Sequence, residues 1–79
     1  MDRPSPFLTT EEVAEHFRCS TRTIREFTRL NEIPYHKLPG SRRCLFREDE
    51  LAAWVDGSPL EVEELPRGGR VVRPISKAA

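Results

Sequence analysis

The sequence predicts a small, mainly α-helical domain carrying one β-hairpin, and three observations lead to that expectation. Two helix-capping signatures lie so close together that only a tight turn fits between the helices they begin. A Pro-Gly turn signal separates two strand-like runs. A third amphipathic run opens on three acids and stops at a glycine closely followed by a proline. A chain of 79 residues holds one domain at most, near the lower size at which a core sustains itself. Apolar residues thin out after Val55, so the foldable part is expected over residues 7–57.

Residues 1–6, with Pro4 and Pro6, read as a flexible lead-in. Leu8-Thr9-Thr10-Glu11-Glu12-Val13 matches a capping box, with Thr9 as N-cap and Glu12 three residues on. The first helix then runs to about Phe17 or Arg18, with Val13, Ala14 and Phe17 on one face. Ser20 caps a second helix whose Ile24, Phe27 and Leu30 fall on one side. Arg22, Arg25 and Arg29 cluster within ~60° of arc on the other. Two short capped helices joined this tightly read as a helix-turn-helix.

The second helix is expected to close at Leu30-Asn31, where Asn takes the left-handed conformation, and Ile33-Pro34 marks the exit. Tyr35-His36-Lys37-Leu38 and Arg43-Cys44-Leu45-Phe46 flank Pro39-Gly40-Ser41-Arg42, which predicts a hairpin with a basic tip. An isolated hairpin is marginal in water, so its apolar side, Tyr35, Cys44 and Phe46, is expected to lean on the helices. The third helix follows over Glu48–Val55, with Leu51, Trp54 and Val55 at helical spacing and Gly57 and Pro59 as the stop. Residues 58–79 contain Pro59, Pro66, Pro74 and Gly68-Gly69 with little periodicity, and read as a disordered or extended tail.

Formal net charge is zero, but the charges are segregated. Between Arg18 and Arg47 eight basic residues face two acids, a local net of +6, whereas Glu48–Glu64 holds seven acids and no Lys or Arg. A binding face is a patch rather than a sum, so this distribution keeps a nucleic-acid partner in play. Cys19 and Cys44 do not make a secreted disulfide framework, and no apolar run reaches signal-peptide or membrane length. The expectation is a cytoplasmic, DNA-associated protein with no membrane partner and no small-molecule ligand.

A helix with an apolar back and three guanidiniums in front suits a DNA major groove; on an ordinary amphipathic helix the same arginines form a solvated face. Read for DNA, Thr21, Arg22 and Arg25 reach the groove floor and Arg29 a phosphate. Ser41, Arg42 and Arg43 are the hairpin-tip contacts, with a basic tip kept for solubility as the bland alternative. Lys37 and Arg18 are phosphate candidates, and Ser20 and Thr23 complete the list at the helix start. Glu26 either accepts from a cytosine amino group or pairs with Arg22 four residues away. His16, Cys19, His36 and Cys44 lack the paired spacing of structural zinc modules, so no metal or other cofactor is expected. No Ser/His/Asp set, phosphate loop or acid–base pair converges, so the chain reads as a binding protein and not an enzyme.

The ordered set of motifs resembles the excisionase branch of the MerR-like winged-helix proteins. It comprises Leu8-Thr9-Thr10-Glu11-Glu12-Val13-Ala14, Cys19-Ser20-Thr21-Arg22-Thr23-Ile24, Asn31-Glu32-Ile33-Pro34, the Gly40–Arg43 turn, and Phe46-Arg47-Glu48-Asp49-Glu50-Leu51 leading to Trp54. It covers roughly residues 7 to 56, and its compact length is similar to phage excisionases, including those of actinobacterial phages. The resemblance implies a winged helix-turn-helix whose second helix enters the major groove and whose hairpin is a wing on phosphates or the minor groove. It also implies a recombination directionality factor that bends double-stranded DNA at attachment sites and directs a phage integrase toward excision. Cys44 and Leu45 depart from the aromatic residue and the arginine frequent in the family's second wing strand. One domain covers little DNA, so head-to-tail self-association is expected, through the acidic Glu48–Glu64 segment. A small phage or plasmid transcriptional regulator using the same face is the alternative, and a protein-interaction module the third class.

Overall fold

The computed structural model describes residues 7–75, so the lead-in expected at 1–6 and the last four residues of the expected tail lie outside the described residues. The elements run β1 (Phe7–Leu8), α1 (Thr10–Phe17), α2 (Thr21–Arg29), β2 (Tyr35–Lys37), β3 (Phe46–Arg47), α3 (Glu48–Val55), β4 (Leu60–Glu64) and β5 (Arg70–Pro74). Three helices thus accompany two small antiparallel sheets, β1–β3 and β2–β5–β4.

The helix pair forms for local reasons. The Thr9 hydroxyl accepts from the Glu12 amide at 3.2 Å while the Glu12 carboxylate accepts from the Thr9 amide at 2.8 Å, the reciprocal capping box. At the other end Arg18 turns left-handed (φ 57), and its amide and that of Cys19 bond back to Glu15 and Ala14. A side chain in that conformation crowds the following carbonyl, a cost of about 1–2 kcal/mol that glycine would avoid. The Ser20 hydroxyl accepts from the Thr23 amide at 3.2 Å and begins α2. Asn31, also left-handed (φ 57), closes it as expected, with the Glu32 amide on the Phe27 carbonyl at 2.8 Å. Its side chain accepts from the Tyr35 hydroxyl at 2.7 Å and so ties the helix end to β2.

The core collects Val13 and Ala14 of α1, Ile24 of α2, Ile33, Tyr35, Phe46, Leu51 of α3, and Val72 of β5. Trp54 receives the edges of Phe17 and Phe27 at centroid separations of 6.0 and 5.8 Å, so the three helices share one aromatic corner. The expected hairpin after α2 is reduced to a single pairing: His36 and Leu45 exchange backbone hydrogen bonds of 2.7 and 2.9 Å. Beyond it Phe46 and Arg47 leave to pair with Leu8 and Phe7.

The expectation of a tail over residues 58–79 is corrected for its described part, residues 58–75. Instead of a tail, residues 60–64 and 70–74 form an antiparallel hairpin, and β5 pairs along all of β2, with Tyr35 opposite Val72 and Lys37 opposite Arg70. Val72 is fully buried and Val71 nearly so, so the foldable unit does not stop at residue 57. In the connection Leu65-Pro66-Arg67-Gly68-Gly69 the Leu65 amide bonds the Gly69 carbonyl, which leaves Pro66, Arg67 and Gly68 as a three-residue hairpin loop; the Gly68 amide bonds the Leu65 carbonyl, and Gly68 takes φ 99. The acids of β4 are used within the hairpin, Glu61 and Glu63 on Arg73 and Glu64 on Arg70. Gly69 lies flat on the backbone at Lys37 and Pro39, where an added Cβ would sit 2.4 Å from the Lys37 carbonyl oxygen.

Candidate nucleic-acid interface

Most of the sequence-predicted site residues fall on α2 and on the 38–44 loop, while Arg18 and Ser20 lie in the turn before α2 and Lys37 ends β2. Burial of Ile24 fixes the rotation of α2, and that leaves Arg22, Thr23, Arg25, Glu26 and Arg29 exposed, with Thr21 half-buried at the helix start. The Arg22 and Arg25 guanidiniums engage no hydrogen-bond or ion-pair partner among the described residues, although the Arg25 carbonyl accepts from the Thr28 hydroxyl at 2.7 Å. Arg29 does: its guanidinium pairs with Glu26, with Nε on the carboxylate at 3.3 Å. The expected Glu26–Arg22 pair is therefore corrected to Glu26–Arg29, three residues apart. The Arg29 side chain holds the Glu26 carboxyl below its ordinary pKa and is itself pushed up, chiefly by that hydrogen bond. Ser20 and Thr23 are tied to each other through their hydroxyls at 3.1 Å, which makes them parts of the cap.

The 38–44 loop is shaped by its own turn chemistry. Pro39 and a left-handed Gly40 (φ 77) occupy the centre of a turn closed by the Ser41 amide on the Leu38 carbonyl at 3.1 Å. The Ser41 hydroxyl then accepts from the Arg43 amide at 3.1 Å and sets the direction in which Arg42 and Arg43 leave the turn. The consequence is a groove of about 470 Å³ lined by Arg25 of α2, by Arg42 and Arg43 of the loop, and by Thr9, Thr10 and Glu11 at the start of α1. Arg42 and Arg43 are neighbours in the sequence, but sequence spacing alone does not bring Arg25 to them.

A second concavity adjoins the groove. Thr28 and Cys44 also border a second cleft of about 260 Å³, lined further by Arg29, Lys37, Gly68 and Arg70. The Cys44 thiol is pushed up in pKa by burial, against the opposing pull of Lys37 and a hydrogen bond to Thr28. Arg70 is raised by contact with the Tyr35 hydroxyl and then with Glu64. Arg70 was not among the expected site residues; the signal for it is the Pro-Arg-Gly-Gly turn between two strand-like runs. Arg22 opens on the other flank of α2, in a cleft of about 460 Å³ shared with Glu26 and Glu32. Arg18 is exposed in the turn between the helices, at the left-handed position.

The remaining chemistry-bearing residues have separate surroundings. His36 Nε2 lies 2.8 Å from Glu50, and its ring meets Phe7 edge-on. His16 packs against Phe17. Among the described residues no three His, Cys, Asp or Glu side chains group as metal ligands would, and no helix is long and apolar enough to cross a membrane.

No curated protein and no solved structure matches the chain. A family model described as a helix-turn-helix domain matches residues 7–58, more than half of the sequence and all of the elements from β1 to α3. That family is found in excisionases and small DNA-binding proteins, and its fold implies binding to DNA. On the match and on the geometry of α1, α2 and their capped turn, the chain belongs to the helix-turn-helix domain family.

Proposed function

We propose that this protein is a sequence-specific DNA-binding excisionase of the MerR-like winged-helix type, a binding protein and not an enzyme. It lays α2 in the major groove and uses the 38–44 loop as a wing. The observation that carries the reading is the convergence of Arg25, Arg42 and Arg43 on one groove from two separate elements. A duplex lying along that groove offers phosphates to the wing and base edges to the start of α2.

Thr21, Arg22 and Arg25 reach base edges, because the N-terminal half of a recognition helix lies deepest and neither guanidinium is engaged elsewhere. Arg42 and Arg43 contact the backbone or a narrow minor groove, with Ser41 directing them. Arg29, Lys37 and Arg18 are phosphate contacts, and Glu26 orients Arg29. Ser20 and Thr23 serve through the cap.

On its attachment site the protein bends the duplex and directs a phage integrase toward excision. Neighbouring copies associate head to tail. With Glu61, Glu63 and Glu64 engaged by arginines of their own hairpin, that contact falls to Glu48 and Asp56, which border an apolar cleft with Phe17, Leu51 and Val55. The family's small DNA-binding members support a second reading, a transcriptional regulator with the same face.

Footprinting on attachment-site and promoter DNA separates the two readings. Protection beside the crossover sequence with stimulation of excision by integrase is expected; protection confined to a promoter favours the regulator. Charge reversal of Arg22, Arg25 and Arg43 together is expected to abolish binding, and unchanged affinity would overturn both.

A further inference from the structure

We propose that the β4–β5 hairpin is a second wing, whose turn and first β5 residue seat DNA backbone phosphates beyond those reached by α2 and the 38–44 loop. This rests on the DNA-binding reading and adds to it a site in the segment that follows the helix-turn-helix match.

Three observations lead there. First, Lys37 of β2 and Arg70 of β5 are directly opposite partners, and side chains directly opposite lie on the same face of a sheet. Like charges placed directly opposite each other destabilise a sheet, and an anion between them reverses the sign of that interaction. Second, both line the cleft that also receives Arg29 from the last turn of α2, so three cations from three elements surround one concavity. Arg70 is steadied there by Glu64, which accepts from its Nε at 2.8 Å. Third, this cleft shares Thr28 and Cys44 with the groove that holds Arg25, Arg42 and Arg43, so the two adjoin.

The hairpin is built to stay where it is. Gly69 packs on the Lys37 carbonyl, so the turn is pinned to the base of the 38–44 loop. Arg67, exposed at the tip of that turn, engages no partner among the described residues. An unpaired cation on this closely packed turn, adjoining a cleft of three more, suits successive phosphates of one strand. It does not suit base edges, which need a donor pattern matched to a groove.

The test is the salt dependence of binding by the full chain to mixed-sequence duplex DNA, with thermal melting as the check on folding. Each phosphate contact contributes about 0.9 to the slope of log affinity against log salt. Arg67→Gln is expected to lower the slope by about 1, with an unchanged melting midpoint. Arg70→Gln is expected to lower it by about 1 and to weaken specific and mixed-sequence duplexes by the same factor. If the wild type binds with a steep slope and both variants match it, the second wing is wrong and the DNA-binding reading stands. If the wild type shows no salt-dependent binding, the DNA-binding reading falls and takes this one with it.

Discussion

The helix pair over residues 10–29 and the hairpin over residues 60–74 are stabilised in opposite ways. Each helix carries its own start and stop within a turn of chain: Thr9 and Glu12, Arg18, Ser20, Asn31. The hairpin has a good turn, but its strands expose most of β4, and it persists because β5 lies on β2 with Val72 against the core. The first region is specified by neighbours in sequence, the second by a partner more than thirty positions away. A mutation that damages the helices is therefore expected to act through one cap at a time, whereas damage to the hairpin strips cover from the centre of the molecule.

The sharpest test of this contrast is removal of residues 58–79. Loss of the buried Val71 and Val72 side chains alone amounts to about 3–6 kcal/mol, comparable to the whole stability of a small domain. The truncated chain is expected to lose its cooperative urea transition; a chain that melts like the full one would show that residues 7–57 fold unaided. Val72→Ala is the milder version, expected to cost about 2 kcal/mol in chemical denaturation with the secondary structure retained. Ser20→Ala probes the other region and is expected to cost about 1 kcal/mol, since one cap bond at the start of α2 is lost.

What could be read beforehand follows the same division. The caps of α1 and α2, the left-handed Asn31, the stop at Gly57 and most of the core lie in signals a few residues long, and the structure has them where they were expected, although Leu30 and Val55 of the expected apolar faces are exposed. The pairings of β1 with β3 and of β2 with β5 were not legible, because a strand's partner leaves no mark in its own composition. The alternation of Leu60 and Val62 was masked by the acids beside them, Glu61, Glu63 and Glu64, which acquire arginine partners only when the hairpin closes. At the candidate interface the exposed arginines of α2 were legible from helical periodicity. Glu26's choice of Arg29 over Arg22 was not, since both spacings bring side chains together on a helix.

Two smaller effects refine the comparison within the helix pair. Arg18→Gly is expected to raise stability by about 0.5–1 kcal/mol by relieving a left-handed position, measurable as a higher melting midpoint. A fall in stability would mean that the Arg18 side chain holds the turn in a way its exposure does not reveal. The smallest effect is the pH dependence of the Glu26–Arg29 pair. Because the folded-state carboxyl is lowered, its contribution is present above the ordinary carboxylate range, about 4.3, and is lost as pH falls through the lower folded value. The difference between wild type and Glu26→Gln is accordingly expected to be small at neutral pH and to vanish in acid.

The contact of Gly69 with the backbone at Lys37 and Pro39 makes one position a spacer between two loops. A methyl group there has to push the carbonyl aside, and larger side chains would wedge the loops further apart in proportion to their bulk. The separation at which the two turns could straddle a curved rod would then be adjustable by a single codon. A graded series at residue 69 would thus vary the reach of the molecule without altering any of its charges.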